Sequence, residues 1–177
     1  MKIEIIDNFS RVLISVLPQF IEQSKDVRIA VAFASRRGIA MIENSINSIL
    51  NREANIEFLV GLDMRTTEPE ALKTLYRLSL SNNNVELYCY ASIEPSSIYH
   101  PKLYLLSNGQ NAICIVGSSN LTEGGLKKNI EVNLVIKTNV NNEIISDCYA
   151  TYNRLKFHPK RVAPDDEFIE IYSELCN

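Results

Sequence analysis

The chain has 177 residues, enough for one domain with a proper core. Apolar residues make up 46% and charged residues 22%, and 18 Lys plus Arg against 21 Asp plus Glu leave a formal net charge of −3. That charge excludes nucleic-acid binding by bulk basicity, which needs many cations facing phosphate, but leaves room for a local basic patch. No apolar run approaches the roughly 20 residues of a membrane span, and the first residues lack a basic-then-apolar signal, so no membrane partner is expected. The cysteines Cys89, Cys114, Cys148 and Cys176 are 25, 34 and 28 residues apart. Without close pairs they do not read as a zinc site; they read as free thiols in a reducing cytoplasm.

In chain order, the alternation over 2–6 predicts an edge strand. Asn8 is positioned to cap a helix over 9–23, with Val12, Leu13, Val16, Leu17 and Phe20 on one face and Pro18 kinking or breaking it. The run over 27–34 is short and nearly all apolar, as in a strand buried on both faces. A helical period follows over 39–50, then a strand over 56–61. Thr66 or Thr67 caps a helix over 69–80, with Pro69 in its first turn, and the Ser-Asn-Asn-Asn cluster at 81–84 ends it. Strands then come in quick succession, over 85–90, 102–106, 112–116 and 130–137. Asn108-Gly109 marks a tight hairpin between the second and third. Helices over 141–157 and 165–175 close the chain. No linker divides it, so the expectation is one domain over 1–177, an α/β sandwich with a mixed central sheet flanked by helices.

The chemistry concentrates in two places. In YHPKLYLL, His100 and Lys102 flank a proline at a strand mouth. Residues two apart on a strand share a face, so an imidazole and an ammonium project together. In VGSSNLTEGG, Gly117 ends a strand and allows a sharp turn, Ser118 and Asn120 offer a hydroxyl and an amide, and Ser119 falls on the opposite side. Glu131 begins the next strand. A nucleophile or proton carrier, a cation, two neutral donors and a carboxylate are what holds a phosphodiester. Arg36 and Arg37 follow the buried strand where α/β folds place ligand loops, and are candidate contacts to a nucleic-acid backbone. Lys127-Lys128 and Lys160-Arg161 are further candidates. Tyr99 is a candidate for stacking on a base, with packing in the core or at a subunit rim as the alternative. The 122–125 stretch starts a helical turn whose amide end could favour phosphate. Asp165-Asp166-Glu167 reads as a helix cap rather than a metal cluster.

The stretch over 99–133 resembles the phospholipase D superfamily, whose signature is H-x-K followed by a G-S-x-N turn. His100 and Lys102 match the first half; Gly117, Ser118 and Asn120 match the second. Glu131 falls where the family's histidine-orienting acid lies. Upstream, VRIAVAFASRRGI and IEFLVGLDMRTTEPEALKTL look like the strand–helix units of the nuclease branch, which includes restriction endonucleases. The family usually has an aspartate five residues after the lysine; Ser107 stands there. That aspartate is generally structural, so the departure implies a local hairpin change rather than lost chemistry.

The resemblance implies a metal-independent reaction without cofactor. His100 attacks phosphorus to form a phosphohistidine, a second histidine protonates the leaving oxygen, and water resolves the intermediate. The chain has two histidines. His158-Pro159-Lys160 repeats the tripeptide, but no apolar strand, G-S-x-N turn or acid follows, so it reads as a polar connection between helices. A symmetric homodimer bringing two copies of His100 to one phosphate is the expected solution. The expected activity is hydrolysis of DNA, or RNA, by a stand-alone nuclease or the catalytic module of a restriction or defence system. An additional recognition domain or subunit would then supply specificity. The alternatives are a phosphodiesterase acting on phospholipid head groups and an inert phosphate- or nucleic-acid-binding module.

Overall fold

The apolar runs 27–31 and 56–60 lie side by side at the centre of the fold, where helices on both sides shield them from water. The computed structural model describes residues 1–91 and 97–176. Its strands are β1 (Lys2–Ile6), β2 (Asp26–Val31), β3 (Asn55–Gly61), β4 (Val85–Tyr90), β5 (Lys102–Ser107), β6 (Asn111–Gly117), β7 (Asn133–Asn139) and β8 (Arg161–Val162). They form one mixed sheet in the order β1-β7-β6-β5-β2-β3-β4-β8. β2, β3 and β4 run parallel, β5 turns antiparallel against β2, and β6, β7 and β1 continue antiparallel. The helices are α1 (Leu17–Glu22), α2 (Arg36–Ala40), α3 (Glu43–Leu50), α4 (Pro69–Ser81), α5 (Glu143–Lys156) and α6 (Asp166–Leu175). Residues of α1, α3, α4 and α6 share one core with Ile29, Phe58 and Tyr104. The other face carries a second core, in which Ala30, Leu59, Leu105 and Cys114 pack with Ile145 and Tyr152 of α5. The expected sandwich is the observed one. Among the described residues no helix is long and apolar enough to cross a membrane.

Several local expectations are corrected. The segment over 9–23 is not one helix: bends and a 3-10 turn at Leu13–Ser15 precede the short α1. Asp7 Oδ1 accepts the Phe9 and Ser10 amides, and Asn8 takes a positive φ of 57° while its Oδ1 accepts the Leu13 amide. Polar side chains thus satisfy the backbone in place of helix bonds. Pro18 sits in the first turn of α1, where it starts a helix at no cost. The 39–50 helix is split at Met41–Ile42 into α2 and α3. Neither Thr66 nor Thr67 caps α4; its N-cap is Glu68, without a side-chain bond. β7 begins at Asn133, so Ile130, Glu131 and Val132 precede the strand. The 157–165 connection holds β8, which pairs with Cys89 and Tyr90 of β4.

The hairpin expected at Asn108-Gly109 is present. Asn108 Oδ1 accepts the Gln110 and Asn111 amides, and Gly109 has φ 91°, a conformation that favours glycine. Asp165 caps α6 by accepting the Phe168 amide at 2.8 Å, as expected of a helix cap.

Thr67 has a different task from capping. It is fully buried, its hydroxyl donates to the Gly61 carbonyl at 2.7 Å, and it accepts the Ala34 amide at 3.2 Å. The Thr67 carbonyl accepts the Tyr172 hydroxyl at 2.7 Å, tying α6 to the same knot. Thr67→Val keeps the shape but strands two buried polar groups, and is expected to lower the unfolding free energy by about 1–3 kcal/mol. Thr67→Ser retains the hydroxyl and should cost less; urea unfolding of both variants checks the difference.

Candidate active site

Sheet pairing places the histidine and lysine. Lys102 opens β5 opposite Val31, and the Ala32 N–H donates to the Pro101 carbonyl at 2.9 Å, carrying the β2–β5 pairing past the end of both strands. Just upstream, Tyr99 anchors the chain. Its ring stacks on Tyr90 at 4.7 Å, its hydroxyl donates to the Leu59 carbonyl at 3.2 Å, and its amide donates to Asp63 Oδ2 at 2.7 Å. Gly61 makes this possible, because a Cβ there would lie 2.7 Å from the Tyr99 ring. Tyr99 is 4% exposed, so it packs in the core and does not stack on a base.

Beyond that anchor His100 is exposed, whereas Lys102 is only 7% exposed. Lys102 Nζ lies 2.6 Å from His100 Nδ1, 3.0 Å from Nε2 and 3.1 Å from the His100 carbonyl. An ammonium has donors only, so the contact needs a ring nitrogen without a proton, that is, a neutral imidazole. Burial lowers the His100 pKa, and the neighbouring Lys102 charge lowers it further. Burial also lowers the Lys102 pKa, against the pull of the Glu131 carboxylate.

The second half of the motif reaches the same corner. Gly117 turns without a positive φ, contrary to the expectation of conformational freedom; Gly109 is the one glycine with positive φ among the described residues. What Gly117 permits is close approach, since a Cβ would collide with the Val132 carbonyl and Asn133. Ser119 is buried, as expected of the opposite side, and exchanges hydrogen bonds with Asn133. Asn120 Oδ1 accepts the Phe33 amide at 3.0 Å, which binds this turn to the end of β2. The Ser118 hydroxyl donates to Glu131 Oε2 and accepts the Val132 amide at 2.9 Å. Glu131 Oε1 accepts from Asn129 at 3.3 Å. The hydrogen-bond partners of Glu131 are therefore Ser118 and Asn129 rather than His100, and its influence reaches the site through the Lys102 charge.

Other candidates are drawn elsewhere. Arg36 pairs with Glu43 at 3.6 Å and Arg37 with Glu123 at 3.3 Å, both in exposed ion pairs. Lys127 is exposed, and Lys128 pairs with Glu123 at 2.9 Å. The expected helical turn exists as one π-helical turn over Gly124–Lys128. Thr122 Oγ1 already accepts the Gly125 amide, and the Glu123 carboxylate sits at that end, so the arrangement does not favour phosphate. Ser107 lies at the hairpin end of β5, away from His100, where its carbonyl accepts the Lys25 amide at 2.7 Å. His158 packs against Tyr90 at 5.2 Å and accepts the Lys160 amide on Nδ1 at 3.2 Å, a local role beside β8.

Sequence reasoning misses Phe33. Its ring meets His100 edge-on at 5.6 Å, and Lys102 Nζ lies 5.8 Å from its centroid. Hidden in the apolar run, it carries no polar signal; its place two residues beyond Val31 on the face of Lys102 is the clue available. His100, Lys102, Val116 and Gly117 line a cavity of about 400 Å³, walled on the far side by Ile144, Asp147 and Cys148 of α5. An imidazole kept neutral beside an ammonium, at the mouth of a cavity and near an amide donor, suits a nucleophile facing an anionic centre.

The family model described as "Cardiolipin synthase, PLD-like domain" matches residues 11–156. A search of curated proteins finds no match. Among solved structures, NucT from Helicobacter pylori is similar with a TM-score of 0.70 at 16% identity, over 92% of this chain and 99% of that one. Nuc, a phospholipase D family member from Salmonella typhimurium, gives 0.63 at 15% identity, over 88% and 91%. Phosphatidylserine synthase from Haemophilus influenzae gives 0.66 at 14% identity, over 98% of this chain but 44% of that one. With a model matching most of its length and the motif residues gathered at one strand end, the chain belongs to the PLD-like domain family.

Proposed function

We propose that this protein is a metal-independent phosphodiesterase that cleaves nucleic acid, DNA in the first instance, through a phosphohistidine formed on His100. The observation that supports this reading best is the His100 ring held against Lys102 Nζ among the residues that line the cavity, with burial and the Lys102 charge lowering its pKa. In the proposed reaction a His100 ring nitrogen attacks phosphorus, and the bond from phosphorus to the leaving oxygen breaks. A second, protonated imidazole gives its proton to that oxygen, then takes one from the water that displaces His100 from phosphorus. Lys102 offsets charge on the phosphoryl oxygens, and Asn120 has its amide nitrogen to donate while its oxygen stays on Phe33. Ser118 and Glu131 brace the turn and hold a carboxylate near Lys102. Arg36, Arg37 and Lys127 supply nearby cations for the backbone, and exposed ion pairs exchange partners at little cost.

The second imidazole is His100 of a second subunit in this reading. An apolar surface beside the cavity supports it. Ile5 of β1 pairs with Leu134 of β7, and Leu134 pairs with Val116 of β6, so the three share one face in a row across the sheet. They are 59%, 36% and 46% exposed, and Val116 also lines the cavity. Ile3, Val132 and Ile144 extend the exposed apolar surface around them. A two-fold axis through such a patch buries it and brings the two cavity mouths together. The same patch also favours a second reading, a phospholipid substrate whose acyl chains would lie along it.

His100→Ala is expected to reduce cleavage of single- and double-stranded DNA in the presence of chelator by on the order of 10³-fold or more; full activity in that variant would defeat the proposal. Turnover of phosphatidyl vesicles with no cleavage of DNA would favour the lipid reading. Leu134→Glu together with Ile5→Glu is expected to give a folded monomer by light scattering that has lost activity, whereas an active monomer would contradict the shared site. Because burial and Lys102 both disfavour the imidazolium, the His100 ring should titrate below the ordinary value of about 6.5. Lys102→Met removes the like charge and should move that titration upward. Proton NMR of the two histidine rings, assigned with His158→Asn, reads both values.

A further inference from the structure

Two of the four cysteines meet at the wall of the cavity. Cys114, buried in the middle of β6, points toward α5, and Cys148 of α5 faces it with the two Sγ atoms 3.0 Å apart. Both are thiols, as are Cys89 and Cys176, which lie elsewhere. The side of Cys148 not covered by Cys114 is part of the lining that includes His100 and Lys102. We propose that Cys114 and Cys148 are an oxidation site, a thiol pair that a peroxide entering the catalytic cavity converts to a reversible disulfide between β6 and α5.

The geometry suits one order of events. Cys148 is half-buried and reached from the cavity, whereas Cys114 is sealed behind it. The Cys148 sulfur attacks one oxygen of hydrogen peroxide, the O–O bond breaks, and a sulfenic acid and one water result. The Cys114 sulfur then attacks the Cys148 sulfur; the S–O bond breaks and a second water leaves with the Cys114 proton. Two thiols lose two electrons and two protons, and the peroxide is reduced to two waters. The sulfur atoms need to close by only about 1 Å to reach bonding distance, a shift within the reach of side-chain rotation. Burial raises the Cys114 pKa, as does its neighbour Cys148, which keeps Cys114 protonated and inert until the sulfenic acid appears beside it. The resulting bond closes a ring through β7 and braces the α5 wall against the strand that ends in Gly117. The thiol chemistry is the same whichever substrate the site takes.

The test uses the purified full chain treated with stoichiometric hydrogen peroxide, then alkylated under denaturing conditions and examined by intact-mass and peptide mass spectrometry. The expected result is loss of two of the four titratable thiols, recovery of a linked peptide pair containing Cys114 and Cys148, and return of both thiols after dithiothreitol. Cys148→Ser should abolish linkage and leave Cys114 alkylatable. Four intact thiols, a sulfinic or sulfonic acid at Cys148 without linkage, or a bridge involving Cys89 or Cys176 would each overturn the proposal. Circular dichroism of the Cys148→Ser variant shows whether loss of linkage comes with a native fold, and Cys148→Ala serves as the second variant if it does not.

Discussion

The site depends on a single electrostatic constraint: an ammonium and an imidazole are made to share a corner in which Lys102 is buried and His100 stays open to solvent. Burial lowers the pKa of both groups, and the Lys102 charge lowers that of the ring further, so the imidazolium is disfavoured beside the ammonium. Backbone fixes the pairing. Tyr99 is locked to Tyr90, Leu59 and Asp63 on one side of the histidine, and Pro101 is held to Ala32 on the other. Between those two anchors the chain has little choice about where His100 and Lys102 go. Phe33 adds an apolar surface along the pair, held in place because its amide is bound by Asn120.

The same sheet explains why the site lies beside an uncovered face. One side is layered with α1, α3, α4 and α6, whereas among the described residues α5 alone crosses the other. Part of the layer under α5 is charged: Lys156 pairs with Glu57 at 2.8 Å and with Glu86 at 3.1 Å, and Arg28 pairs with Asp26 at 3.1 Å. A single helix cannot also reach β7 and β1, so Leu134, Ile5 and Ile3 stand in solvent on the face where Ala30 and Leu59 are buried. Asymmetry of cover, more than any insertion, brings an apolar surface to the rim of the polar site.

Much of this was legible in the residues themselves. The strand order of the β5–β6 hairpin, the placement of His100 with Lys102 and the inward face of Ser119 all follow from a period of two and a turn dipeptide. Some of the failures arise where polar side chains find partners on other segments. Asn8 reaches Gly125 and Asn129, Thr67 bridges Gly61 and Ala34, and Arg36 and Arg37 find carboxylates on other segments. Gly117 was legible as a sharp turn at a strand end, but its reason, the nearness of Val132, belongs to the β7 pairing. Tyr99 could not be assigned from its position alone, because a tyrosine before a catalytic strand looks the same whether it faces solvent or Tyr90.

β5 runs from Lys102 to Ser107, so the polypeptide leaves the corner of His100 and Lys102 and arrives about 17 Å away before it turns. At that opposite pole the connection is closed by its own Asn108 side chain and by Gly109, with open space where a Cβ on the glycine would stand. Lengthening or replacing this connector would leave the anchors of His100 untouched. Here the architecture has room for an affinity tag or fluorophore that leaves the His100 end of the strand undisturbed.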